Sequence, residues 1–194
     1  MKFLISISRS IDTFNEKIGH AVSWALLAAV LICTGNALVR YIFNTSSNGW
    51  LEIQWYLFSA VFLLGTSYTL RRNEHVRIDV ISGRFSKRAQ VWMDIFGFSF
   101  FLLPMAGLIL YFAIPFAWIS IQSQEMSSNA GGLIVWPAKL LIPIGFLMLS
   151  LQGVSELIKR IGFLQGLVDA SEFEKHAATP EEEIEAIKTA NNLK

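Results

Sequence analysis

The stretch Ile18–Val39, IGHAVSWALLAAVLICTGNALV, decides the fold. It contains no Asp, Glu, Lys or Arg. At about 1.5 Å rise per residue, a helix of this length reaches roughly 33 Å, enough for a hydrocarbon core of about 30 Å. Three further apolar stretches follow, Ile53–Leu70, Ile95–Gln124 and Leu133–Ser155. The first two of these also lack acidic and basic residues, and the last carries only Lys139. Each is about 18 residues or longer, the length that reads as a transmembrane helix. The expected fold class is an all-α membrane protein with four transmembrane helices, at about 18–43, 50–70, 89–121 and 133–160.

Composition agrees with that class. Of 194 residues, 53% are hydrophobic, and the mean hydropathy is +0.47. A four-helix domain over 18–162 leaves short loops and no room for a separate soluble domain. The net charge of +1 gives no reason to expect nucleic acid as a partner. The single cysteine, Cys33, lies inside the first apolar run and has no internal disulfide partner. Phe3–Ile7, after Lys2, is too short for the apolar region of a signal peptide, and Ile18–Val39 is too long, so the first span is read as retained.

Charge sets the expected orientation. Arg71, Arg72, Arg77, Arg84, Lys87 and Arg88 lie between spans two and three. Lys2, Arg9 and Lys17 precede span one, and Lys159 and Arg160 end span four. Asn44–Gly49 and Gln122–Gly132 hold no Lys or Arg. Basic residues collect on the cytoplasmic side, so both termini are expected inside. Trp24, Trp50, Trp55, Trp92, Trp118 and Trp136 fall near predicted helix ends, where indole rings favour the interface. Residues 1–17 carry Ile7, Ile11, Phe14 and Ile18 at helical spacing, which predicts an interfacial amphipathic helix, or else an extension of the first span. Residues 163–194 are expected to form a cytoplasmic tail, with a helix start at Thr179-Pro180-Glu181-Glu182.

Ionisable groups inside a bilayer are costly and need partners. Arg40 and Glu52 flank a short loop, so they are expected either to pair across it or each to reach interfacial water. Lys139 either snorkels outward or pairs with Glu125 or a partner protein. Asp94 and Glu156 lie near the inner boundary. The residues form no acidic relay across the membrane, no Cys/His zinc cluster, no phosphate-binding G-x-x-x-x-G-K-[ST] loop and no G-x-S-x-G serine. The histidines, His20, His75 and His176, are too dispersed to ligate haem together. No enzyme activity and no bound cofactor are expected. Ala21, Ala25, Ala29, Cys33 and Ala37 form a ridge of small residues on which another helix can pack closely. Pro104, Pro115 and Pro143 predict kinks in the third and fourth helices.

Several segments, in order, resemble the small membrane subunit (DctQ type) of tripartite ATP-independent periplasmic (TRAP) transporters. They are Asn36–Asn44 (NALVRYIFN), Trp50–Phe58 (WLEIQWYLF), Gly65–Arg71 (GTSYTLR) and Glu74–Val80 (EHVRIDV). Ser128–Lys139 (SNAGGLIVWPAK) and Gly145–Glu156, with Gln152-Gly153, complete the set. The resemblance implies a bacterial inner-membrane protein joined to a large polytopic subunit and a periplasmic substrate-binding protein. The complex would import organic acids, commonly carboxylates, driven by sodium. It also implies that the large subunit holds the substrate and sodium, while the small one stabilises it and helps to dock the binding protein. The family's His-x-x-x-Asp element falls on His75 and Asp79, beside Arg77, in the basic loop. There Asp79 is expected to cap a short helix bearing Ile78, Ile81 and Phe85. Arg40, Glu52, His75, Arg77, Asp79, Glu125, Asn129, Lys139, Gln152 and Glu156 are the candidate structural or interface residues. The competing function is a self-contained small oligomeric transporter or channel.

Overall fold

The computed structural model describes residues 2–45, 47–72 and 85–169, and these are all-helical apart from short loops. Helix α1 is Lys2–Phe43, α2 is Asn48–Arg71, α3 is Lys87–Gln122 and α4 is Trp136–Leu164. Phe3–Phe43 of α1, α3 and α4 are each long and apolar enough to cross a membrane. At 24 residues, α2 extends about 36 Å, but it is not among the helices apolar enough to cross by composition alone. Two of its polar residues, Glu52 and Ser67, are buried in the protein, so part of that polarity faces inward.

The 42 residues of α1 form one unbroken helix of roughly 63 Å. The separate interfacial helix expected over 1–17 is therefore replaced by an extension of the first span. No proline interrupts this stretch, and its first glycine is Gly19. One packing seam runs through it: Ser8, Asn15, Val22 and Ala29 recur every seven residues and are all buried. A seven-residue repeat keeps one face of a helix on its neighbours over many turns. Of the apolar residues expected to lie on a membrane surface, Ile7 and Phe14 are exposed on another face, and Ile11 and Ile18 are half-buried. Of the expected small-residue ridge, only Ala29 is buried, and Cys33 is exposed. That ridge is therefore not the main internal seam.

Helix α4 is the centre of the molecule. It packs on α1, α2 and α3, α1 also packs on α2, and α3 rests chiefly on α4. The result is a three-helix cluster with α3 added on one side, rather than a square bundle. Asn15 meets Gln152, Leu63 backs on Gly145, and Asp94 meets Arg160. These contacts place the starts of α1 and α3 with the ends of α2 and α4. That basic end carries Arg71, Arg72, Lys87, Arg88, Lys159 and Arg160. The opposite, loop end carries the connections 44–47 and 123–135. At Gly145 a β-carbon would lie 2.9 Å from the Leu63 backbone oxygen, so only glycine allows α2 and α4 this approach.

Helix α3 contains a π-helical turn at Phe98–Leu102, immediately before Pro104. Proline lacks an N–H and collides with the carbonyl of the preceding turn. Widening that turn accommodates it, and the Leu103 N–H donates to the Phe98 carbonyl five residues back. Pro115 and Pro143 lie within continuous α-helix.

Candidate functional site

The polar side chains gather in clusters at the two ends of the helices. At the loop end, Glu52, one turn into α2, is buried, and its carboxylate reaches the 123–135 loop. It accepts hydrogen bonds from the Ser127 hydroxyl, from Asn129 Nδ2 at 2.9 Å and from the Leu133 N–H at 2.6 Å. The loop is a small hairpin. The Ser127 N–H donates to the Leu133 carbonyl, and the Val135 N–H donates to the Glu125 carbonyl, each at 2.9 Å. Tyr56 and Asn48 of α2 add bonds to the Ile134 and Ala130 carbonyls. At Gly132 a β-carbon would come within 2.8 Å of Glu52 Oε1, so glycine lets the carboxylate in. Glu52 thus clasps the hairpin to α2.

Beside it, Glu125 accepts from the Lys139 ammonium and from the Ser120 hydroxyl. The Lys139 hydrogen bond, then the Ser120 bond, hold the Glu125 carboxyl below the usual value. Lys139 Nζ also stands 4.3 Å from the Phe116 ring centre, a cation–π contact. Of the alternatives for Lys139, pairing with Glu125 is the one observed. The Arg40–Glu52 pair does not form. Glu52 is turned into the hairpin, while Arg40 is exposed and has no ion-pair partner among the described residues.

At the basic end, α1 and α4 share a buried ionic network. Asp12 accepts from Gln152 Nε2 at 2.8 Å, from the Ser155 hydroxyl at 2.9 Å and from Lys159 Nζ at 3.0 Å. Glu156 accepts from Lys159, Arg160 and Gln152. Arg160 Nε also donates to Asp94 of α3 at 2.9 Å and lies over the Phe98 ring. Asn15 Nδ2 donates to Gln152 Oε1 at 2.6 Å, and the Ser8 and Ser155 hydroxyls meet at 2.7 Å. Gln152, Glu156, Lys159 and Arg160 are each no more than 2% exposed. Nearby, Glu16 pairs with Arg71 at 2.8 Å, joining α1 to α2.

Of the candidate residues, the structure brings Glu52 to Asn129, Glu125 to Lys139, and Gln152 to Glu156. His75, Arg77 and Asp79 lie outside the described residues, as do the expected loop helix and the Thr179 cap. The sequence reading missed Ser8, Asp12, Asn15, Ser155 and the buried roles of Lys159 and Arg160. The signal was a polar stripe at helical spacing on α4, Gln152, Ser155, Glu156 and Lys159, facing polar positions of α1 at matching spacing. Between Lys139 and Gln152, α4 carries no charged residue over about 20 Å. Among the described residues, no group of three or more His, Cys, Asp or Glu is arranged to hold a metal ion. The clusters join helices to helices and a loop to a helix.

A family model described as tripartite ATP-independent periplasmic transporters, DctQ component, matches residues 29–162. Comparison with curated proteins and with solved structures finds no match. The chain belongs to the DctQ family, as a transporter component and an integral membrane protein.

Proposed function

We propose that this DctQ component is the small scaffold subunit of a sodium-driven, binding-protein-dependent secondary transporter. It stabilises a large polytopic membrane subunit in the bacterial inner membrane and helps to dock a periplasmic substrate-binding protein. The cargo is an organic acid of the carboxylate class, and sodium is bound by the large subunit. All four helices span the bilayer with both termini cytoplasmic, the basic end inside and the hairpin outside. The family match carries this reading. Three features support it. The buried charges are tied to one another at the helix ends, which suits a static element. Large apolar side chains on α1 and α3, such as Trp24, Leu31, Phe100 and Phe112, remain exposed and offer area to lipid and to a membrane partner. The hairpin, held by Glu52, gives a stiff outer surface.

The test is uptake into liposomes under an imposed sodium gradient, with the binding protein supplied outside. The large subunit reconstituted with this chain is expected to transport, and each membrane subunit alone is expected not to. Full transport by the large subunit alone, or any by this chain alone, would remove the scaffold role.

A further inference from the structure

Arg40 is left over by both clusters. It stands at the loop end of α1, exposed, with no acidic partner among the described residues, whereas Lys139 at the same end is paired with Glu125. It lines a pocket of about 650 Å³ between α1 and α2, with Asn36, Tyr41, Asn44, Leu51 and Gln54. None of the residues lining the pocket is acidic. The lining mixes hydrogen-bonding side chains with apolar surface. A second cavity of about 530 Å³, mainly apolar, shares Asn36 with it and is walled by Leu31, Ile32, Gly35, Val39 and Trp50. A guanidinium at the edge of the apolar layer is costly without an anion, and its planar fork matches the oxygens of a phosphate. An anion present at that depth in either leaflet is the phosphodiester of a phospholipid.

We infer that the Arg40 pocket binds one phospholipid from the leaflet at the loop end, its phosphate on Arg40 and an acyl chain along the neighbouring apolar cavity. Asn36, Asn44, Tyr41 and Gln54 supply further donors to the phosphate and glycerol oxygens. The lipid fills the pocket lined by α1 and α2 at the loop end. A charge-assisted contact of this kind sets an expected loss of roughly tenfold in affinity when the charge is removed.

The test uses the full chain purified in mild detergent, with bound phospholipid counted by native mass spectrometry and restored by titration with phosphatidylglycerol. The unsubstituted chain is expected to retain about one phospholipid, and Arg40→Gln to bind it roughly tenfold more weakly. Arg40→Lys should hold most of the affinity, and Lys139→Gln all of it. Inorganic phosphate at equal concentration should not displace the lipid. A second measurement needs no variant: phosphatidylglycerol should raise the unfolding temperature of the delipidated chain, and diacylglycerol, which lacks the phosphate, should not. Equal lipid retention by Arg40→Gln, displacement by inorganic phosphate, or equal stabilisation by diacylglycerol overturns the site. Loss of the large subunit from Arg40→Gln with lipid binding unchanged overturns it too, and gives Arg40 an acidic partner in that subunit instead.

Discussion

Single charges in this protein carry different weights because their surroundings differ. Lys159 is enclosed and pairs with both Asp12 and Glu156. Removing one member of a buried ionic group strands the others without water. Lys159→Met is therefore expected to cost about 3 kcal/mol or more in unfolding measured in detergent. Lys17, exposed on α1, should tolerate alanine within about 0.5 kcal/mol. Lys159→Met with Asp12→Asn and Glu156→Gln should recover much of the loss, because the stranded charges go with it. The Glu125–Lys139 pair supplies a pH dependence. Its carboxyl is held below the ordinary value of 4.5, so its stabilisation is complete above that value and disappears as the pH falls through the lower, folded-state value. A double-mutant cycle with Glu125→Gln and Lys139→Met should show coupling at neutral pH and none once the pH is well below the folded-state value. Coupling unchanged by acid would contradict the pairing. Glu125 and Lys139 were legible as partners in the sequence because each was the other's nearest opposite charge. Arg40 and Glu52 met the same criterion and did not pair. Glu52 had a better set of donors in a hairpin that no apolar pattern announces.

At the scale of helices, the apolar runs located α2, α3 and α4 well, since length and absence of charge are what a bilayer demands. The extent of α1 was harder. Its first residues look amphipathic, and an amphipathic helix either lies on a membrane or packs on a neighbour. What decides between them is the partner stripe on α4, some 140 residues away in the chain, which no local pattern reveals. Within the chain, close helix approaches fall at Gly19, against Tyr68, and at Gly145, against Leu63, rather than along the alanine ridge. Gly145→Ala is expected to push α2 from α4 at a cost of about 1–3 kcal/mol, because the obstructing atom is Leu63 backbone and cannot turn aside. Gly107→Ala, with nothing near its β-carbon, should be neutral or slightly stabilising. Equal behaviour of the two would mean that the α2–α4 contact is looser than described.

At the scale of the whole molecule, polar groups are spent on internal ties at the two ends, and apolar surface is left uncovered along α1 and α3. A three-helix cluster with α3 added on one side gives more lateral surface than a closed bundle of the same helices would. In lipid that surface is stable, and it also suits packing against a larger membrane partner. Family membership was legible in the order of the short motifs from Asn36 to Glu156. The most direct measurement is a mild-detergent pull-down of the tagged chain from its native membranes, with partners identified and quantified by mass spectrometry. A large polytopic subunit in a one-to-one ratio is the expected result. Recovery of the chain alone as a stable homo-oligomer would contradict the scaffold role.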